Sequence, residues 1–556
     1  MSAGQPLSAS KGRQAADRIC EKGPPRTPGA RLSVESMANL FVEDSQVAQA
    51  RELASRITEP VLGFISQHTT VSIERTVLRL YGLSGAGPRG VPLVNTLVDR
   101  LHAAGVLDRG AAWWLGRALR MGANSPLDAV EKLIALPLER LDPPTAEEDG
   151  AIRELMRKET RAAVDELLRR CEQRDALKKE LGTAKAPLRY VIVATGNIFD
   201  DVEQAKAAAQ AGADIIAVIR STAQSLLDYV PHGATTEGYG GTYATQENFR
   251  IMREALDEES KRLGRYIHLT NYSSGLCMSE IAFAAAWERL DMLLNDAMYG
   301  ILFRDINMQR TFIDQYFSRR ICALTGIIIN TGEDNYVTTA DAFDAAYTVV
   351  ASEFINEAFG KRAGLKDWQL GIGLAYELDP ALPQTFLLEL GQAMLVRRCF
   401  PDAPLKYMPP TKHKSGDIFW SHAYDLMADI VAKWTGQGIH LLGMMTEAMH
   451  TPLMMDRYVA LKGAGYVYRA FDGIADEFVL KPDGVIAGRA RKVFGEAMEL
   501  LEEVEKTGLM PAIGKARFGD IARTETGGKG LEGVLGKGEH YFNPFLEILE
   551  GRSPKA

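Results

Sequence analysis

Several groups of polar residues, each placed just after a short apolar run, are where this sequence could do chemistry. The segment DIIAVI ends in Arg220 and continues as Ser221, Thr222, Ala223, Gln224 and Ser225, within a stretch rich in Ser, Thr and Gly. One cation with several hydroxyls and backbone N–H donors is the set that surrounds a phosphate, although an ordinary loop with a solvated arginine has the same composition. After YIHLT come Asn271, Tyr272, Ser273 and Ser274, where Ser274 is a second phosphate-binding candidate. In NDAMYGILFRDINMQRT, Tyr299 and Arg304 lie five apart with Gly300 beside the ring. A tyrosine can stack on a planar heterocycle while an arginine takes its phosphate, the pair a pyridine cofactor requires; a buried Tyr and an ion-paired Arg are the plainer alternative. TGIIIN opens into Glu333, Asp334 and Asn335. A carboxylate here could bind a substrate ammonium or a ring nitrogen, or the Asp–Asn pair could simply cap the next helix. Lys406 stands inside the apolar run PLKYM, and a lysine so placed needs a carboxylate, for which Asp334 is the preferred candidate.

Other chemistries find no foothold. The sequence has no HExxH, GxSxG or CxxC, and His413, His440 and His450 lack the spacing of metal ligands, so no metal site is expected. Lys412 and Lys414 read as solvated. The stretch TGGKGLEGVLGKGEHYFNPF fails as a phosphate loop because the spacing between its first glycine and a GK pair is wrong and Gly538 stands where Ser or Thr would bind magnesium. It reads as a structural C-terminal extension.

The elements that must position these groups are eight candidate strands at 189–195, 214–219, 266–270, 290–294, 325–330, 369–375, 404–408 and 439–443. Each is a short apolar run followed by a loop and usually an amphipathic helix, the pattern of buried parallel strands. Eight such units predict a TIM-type (β/α)8 barrel, in which loops at the C-terminal ends of the strands surround a common mouth. A doubly wound open sheet is the alternative. Before the barrel, apolar residues such as Val47, Ala50, Leu53, Ala54 and Ile57 recur at helical spacing. The expected organisation is a tail at 1–38, a helical domain at 39–185 without a strong strand pattern, the barrel at 186–475, and a helical, Gly-rich extension at 476–556.

With 556 residues, 46% hydrophobic and 24% charged, the chain has the composition of a globular protein. A net charge of −8 supplies no basic footprint for nucleic acid. No apolar stretch is long enough for a membrane span, the N-terminus lacks a secretory h-region, and the five scattered cysteines suit a reducing compartment, so a cytoplasmic location is expected.

The segments YVIVATGNIFDDVEQA, AVIRSTAQSLLDYVPHGATTEGYGGTYATQENFR, LFRDINMQRT, INTGEDNYVTTADAF, PLKYMPPTKHKSGDIF and HLLGMMTEAMHTP closely resemble the α subunits of lysine 5,6-aminomutases. The resemblance runs from about residue 45 through the GGKGLEGV tail; residues 1–35 stand outside it. It implies a TIM barrel that binds pyridoxal phosphate at its mouth and pairs, as an α2β2 assembly, with a smaller β subunit carrying adenosylcobalamin and the Schiff-base lysine. Phosphate and ring contacts fall on positions matching Arg220, Ser225, Ser274, Tyr299 and Arg304, with Asn335 nearby. Asp334 and Lys406 match residues that bind the substrate end or tune the cofactor. The cobalamin motif DxHxxG is absent, which suits a division of labour and argues against the longer ornithine 4,5-aminomutase chain.

The implied reaction moves the terminal amino group of D-lysine or L-β-lysine to the adjacent carbon. A deoxyadenosyl radical removes hydrogen, the imine nitrogen migrates through a three-membered radical delocalised by the pyridine, and hydrogen returns. Two other readings remain: a self-contained pyridoxal-phosphate lyase, racemase or decarboxylase using Lys406, and a non-catalytic scaffold. An ornithine substrate differs by one methylene, a difference of ~1–3 kcal/mol in a pocket.

Overall fold

The computed structural model describes residues 40, 42–138, 141–218 and 223–551; the expected N-terminal tail lies outside them. Eleven short strands are present among these residues: β1 His68–Thr70, β2 Leu188–Val193, β3 Ile215–Val218, β4 His268–Tyr272, β5 Met292–Leu294, β6 Ile328–Asn330, β7 Leu370–Gly371, β8 Gly373–Ala375, β9 Lys406–Met408, β10 Ile439–Leu441 and β11 Val534–Gly536. From β2 to β10 every neighbouring pair is parallel, and β10 returns to β2 with Ile439 opposite Leu188. The ring is therefore a TIM barrel.

All eight expected barrel strands occur, but the sixth is broken into β7 and β8 at Ile372. The break does not open the wall, because the Lys406 N–H still donates to the Ile372 carbonyl at 2.8 Å. Glycines flank the break for a steric reason. A Cβ on Gly373 would lie 2.7 Å from the Thr331 carbonyl oxygen and 3.0 Å from Asp334 Oδ2, so any side chain here would displace the loop after β6. Strand β3 shows why the apolar runs lack alternation: Ile215, Ile216, Ala217 and Val218 are all buried, with helices on one side and the barrel interior on the other.

The helical segments before and after the barrel are joined. Helix Asp44–Gln67 packs against barrel helix Ala342–Arg362 and against Val485–Thr507. A smaller apolar core around Trp113, Trp114, Leu133 and Met156 includes Phe542 from the far end of the chain. The expectation of an N-terminal region without strands needs correction, since β1 interrupts it and pairs antiparallel with β11. Two three-residue strands carry too little alternation to be read locally; the pairing is created by the tertiary fold. Buried Glu74 ties this junction, accepting from Ala111 N, Thr69 Oγ1 and Tyr541 OH, each at 2.7 Å. The Gly-rich tail lies against the barrel: Lys529 N donates to the Asp305 carbonyl at 2.8 Å, and Asn307 N to that of Lys529 at 3.0 Å. Gly528 has φ +77, and a Cβ there would meet Asn307 N at 2.7 Å, which accounts for glycine at this contact. Among the described residues no helix is long and apolar enough to cross a membrane.

Candidate active site at the barrel mouth

The polar groups sit on the loops that leave the C-terminal ends of β3 to β6 and on β9. After β5, Asp296 caps helix Ala297–Arg304, its side chain accepting from Met298 N at 3.0 Å. That helix holds Tyr299 on its first turn and Arg304 on its last. The guanidinium folds back over the ring at 4.9 Å from its centroid and donates to the tyrosine oxygen, while Arg304 Nη1 donates to the Phe303 carbonyl at 2.7 Å. Arg304 Nε is buried with no acceptor. Tyr299 is itself almost wholly enclosed. Gly332 lies against it, so close that a Cβ would come within 2.8 Å of Tyr299 Cβ.

The loop after β6 brings Glu333, Asp334 and Asn335 to the same mouth. Lys406, the first residue of β9, reaches across the broken strand to place Nζ 2.5 Å from Asp334 Oδ2, with both side chains buried. Asn335 Nδ2 donates to Asp334 Oδ1 at 2.6 Å. Burial works against the Lys406 ammonium, yet the Asp334 carboxylate, and after it Tyr272, hold its pKa above the usual lysine value. The pair is therefore ammonium and carboxylate, although burial pushes the Asp334 carboxyl upward. Burial likewise raises the Tyr272 phenol, which lies within electrostatic reach of Lys406, Tyr299 and Asp334.

The serines complete one side. Ser274 Oγ accepts from Asp296 N at 2.9 Å, linking the β4 and β5 loops. Ser225 is buried in the turn Ala223–Leu226, where its carbonyl accepts from Leu276 N at 3.0 Å. Gly275 abuts it; a Cβ there would stand 3.0 Å from Ser225 Cα. Gln224 has a structural use, its amide exchanging hydrogen bonds with the Ala244 backbone at 2.7 and 2.9 Å. Thus Ala223, Gln224, Ser225, Ser274, Tyr299, Arg304, Asp334 and Asn335 lie after the neighbouring strands β3 to β6, and Lys406 reaches Asp334 from β9. Arg220, Ser221 and Thr222 lie outside the described residues.

Sequence reasoning misjudged one residue near this site and missed others. Lys414 is not solvated: its ammonium is buried between Asp425 and Glu447, each at 2.8 Å. These partners are distant in sequence, so only the fold could reveal them. Lys412 Nζ donates to the Ala340 carbonyl at 2.9 Å. Asp296 was missed, as was Glu377, which accepts from Thr411 N and Lys412 N at 3.0 Å and fixes the loop after β9. Asp296 had a legible signal, an Asx residue directly before an apolar helical run. A cleft of about 460 Å³ between Arg51, Phe354, Glu357 and Phe400 is separate from these residues, and its Arg51 is already paired with Glu357 at 2.8 Å. Among the described residues no group of three or more His, Cys, Asp or Glu is arranged to hold a metal.

The residues fit a phosphorylated planar heterocycle. Arg304 offers an orphaned buried donor beside an aromatic ring, and two serines stand on the adjoining loops. Such a set matches one dianion and one flat face.

Comparison with known proteins gives a consistent picture. Residues 40–548 match the family model described as the D-lysine 5,6-aminomutase TIM-barrel domain of alpha subunit. The chain is 51% identical over 520 residues to the lysine 5,6-aminomutase alpha subunit of Acetoanaerobium sticklandii, covering 93% of this chain and 99% of that one. It is 49% identical over 516 residues to the protein of the same description from Fusobacterium nucleatum subsp. nucleatum, with the same coverage of both chains. A more distant match, 28% identical over 371 residues, is the D-ornithine 4,5-aminomutase subunit beta of A. sticklandii, covering 64% of this chain and 50% of that one. Among solved structures, Yersinia pestis dihydropteroate synthase aligns at 11% identity and a TM-score of 0.30 over 53% of this chain and 95% of that one, too weak a likeness to carry an argument.

Proposed function

Because the chain belongs to the D-lysine 5,6-aminomutase α-subunit family, we propose that it is the α subunit of an isomerase that moves the terminal amino group of D-lysine or L-β-lysine to the adjacent carbon. In this reading the barrel mouth holds pyridoxal phosphate, and a smaller β subunit in an α2β2 assembly carries adenosylcobalamin and the Schiff-base lysine. The observation that carries it is the clasp of half-buried Arg304 on buried Tyr299, set beside the buried Lys406–Asp334 pair.

When bound, pyridoxal phosphate supplies a conjugated ring that can delocalise an unpaired electron during the nitrogen shift. Arg304, Ser225 and Ser274 would hold its phosphate, together with Arg220, Ser221 and Thr222 and the backbone of Ala223 and Gln224. Tyr299 would lie against its ring, and Asn335 near its edge. The Asp334 carboxylate and Lys406 ammonium would orient the polar end of the substrate. Enclosure of these groups keeps water from the reacting carbon. DxHxxG does not occur in the chain, which supports placing the corrin on another polypeptide.

The partner would meet the exposed half of the mouth. Phe199 after β2, Tyr239 after β3, Phe419 and Trp420 after β9, and Leu453 and Met455 after β10 are all exposed, on the loops or first helical turns that follow four strands adjacent in the barrel. Apolar residues concentrated on one rim suit a protein interface.

The self-contained alternative is disfavoured by one observation: Asp334 keeps Lys406 protonated, and an ammonium is no nucleophile. Borohydride treatment of the complex of this chain, the β subunit and pyridoxal phosphate, followed by peptide mapping of both chains, tests this. A Lys406 adduct would support the self-contained enzyme, and an adduct confined to the β subunit the two-subunit one.

A further inference from the structure

Asp296 is fully buried, and its hydrogen bonds reach the two neighbouring loops of the site, the helix it caps and barrel helix Ala342–Arg362. Its backbone N–H donates to Ser274 Oγ at 2.9 Å. Oδ1 accepts from Met298 N at 3.0 Å and from Asn356 Nδ2 at 3.3 Å, and Oδ2 accepts from Gly332 N at 3.0 Å. Gly332 in turn presses on the Tyr299 side chain and lies two residues before Asp334. One residue thus joins the β4 loop through its backbone N–H, and through its carboxylate the helix that carries Tyr299 and Arg304 and the β6 loop that carries Asp334 and Asn335.

Its electrostatic surroundings are equally specific. Arg319 Nη2 donates to Asn356 Oδ1 at 2.7 Å and to the Asn295 carbonyl at 2.8 Å, bringing a buried cation behind the carboxylate. Asn356 Nδ2 also donates to Glu333 Oε1 at 2.5 Å. Burial and the nearby Asp296 push the Glu333 carboxyl up to about 8, and burial raises the Asp296 carboxyl as well, against the Arg319 guanidinium, which lowers it.

From this geometry we infer that Asp296 is a positioning residue of the isomerase: it sets the Tyr299–Arg304 clasp and the Asp334–Lys406 pair at a fixed separation through Gly332. The inference rests on the functional reading above. A helix cap alone would need only the bond to Met298. The second oxygen, spent on Gly332, has no part in capping and acts between loops.

The two functions can be separated by substitution. In Asp296→Asn one oxygen still caps the helix, since Asn caps as well as Asp does. With that oxygen on Met298 N, the amide NH2 faces the Gly332 N–H, donor against donor, and the link between the loops is lost. Gly332→Ala strikes the same contact from the opposite side, because its Cβ would fall 2.8 Å from Tyr299 Cβ.

The experiment uses the complex of the full chain with the β subunit, pyridoxal phosphate and adenosylcobalamin. It measures lysine turnover, pyridoxal phosphate affinity and the visible circular dichroism of the bound chromophore. Both variants are expected to lose ~10–100-fold in turnover, as for a misplacement of about 1 Å, with an altered dichroic band and affinity within about threefold of wild type. Wild-type turnover and an unchanged band in either folded variant overturn the positioning role while the functional reading stands. If the wild-type complex binds no pyridoxal phosphate and turns over no lysine, the functional reading fails and this inference falls with it.

Discussion

The two halves of the barrel mouth are built in opposite ways. Over β4, β5 and β6 the loops are buried, hydrogen-bonded to one another and covered by the chain's own C-terminal segment, with Arg523 Nη2 donating to the Leu302 carbonyl at 2.8 Å and Thr339 Oγ1 to that of Gly519 at 2.8 Å. Over β9, β10, β2 and β3 the rim instead exposes Phe419, Leu453, Met455, Phe199 and Tyr239. One half holds polar groups rigidly where water is excluded; the other leaves apolar area bare. The contrast is the one expected of the proposed two-subunit enzyme, in which a buried polar wall belongs to this chain and the apolar rim would be covered by a second polypeptide.

The strongest way to break the rigid half is to remove one member of the buried ion pair that ties its β6 loop to β9. Lys406→Met should destabilise the protein by ~3–5 kcal/mol, because Asp334 is left charged and buried. The double variant Lys406→Met with Asp334→Leu should regain much of that stability without regaining turnover. Urea denaturation of both variants checks the first statement and a lysine assay the second.

Arg304→Ala should weaken pyridoxal phosphate binding by ~10–100-fold, the equivalent of a charge-assisted contact of ~1.5–3 kcal/mol, with the fold retained. Tyr299→Ala should act in the same direction through lost stacking of ~0.5–1.5 kcal/mol, whereas Tyr299→Phe keeps the ring and most of the affinity. Cofactor titrations on the three variants give the order; equal affinities would remove both residues from the site.

The open half is tested by charge. Leu453→Asp with Met455→Asp should weaken association with the β subunit at least ~10-fold while leaving pyridoxal phosphate affinity of the assembled complex unaltered. Sedimentation of mixtures reads the first, and a loss of cofactor affinity instead would mean that the two halves are not independent.

The smallest effect lies at the seam between them. Glu389 on helix Thr385–Cys399 accepts from Leu378 N at 2.7 Å, and burial pushes its carboxyl up to about 8. The folded state therefore binds this proton more tightly than the unfolded state does, so its stabilising contribution is present below pH 4.5 and is lost as pH rises towards 8. Glu389→Gln keeps the acceptor and removes the titration. It should raise the melting temperature at pH 8 by no more than ~2–4 °C and do nothing useful at pH 5.

How much of this was legible in the sequence depended on the range of the interactions involved. The barrel could be read because each strand is a local apolar run enclosed on both sides. Lys406 could be read because a charge inside such a run demands a partner, and Asp334 stood at the end of another strand. Tyr299 and Arg304 share one helix, so their spacing survives folding. The break at Ile372, the β1–β11 pair and the burial of Lys414 were not legible, since each depends on partners that only the closed barrel brings together. Asp296 was visible as a cap, but its bond to Gly332 spans two loops.

The central claim is that this chain needs a second subunit to isomerise lysine. The direct measurement combines it with pyridoxal phosphate, adenosylcobalamin and D-lysine or L-β-lysine, with and without the cobalamin-binding β subunit, and follows by NMR the shift of the amino group to the neighbouring carbon. Product is expected only when both chains are present. Product from this chain alone, or none from the complete mixture, would contradict it.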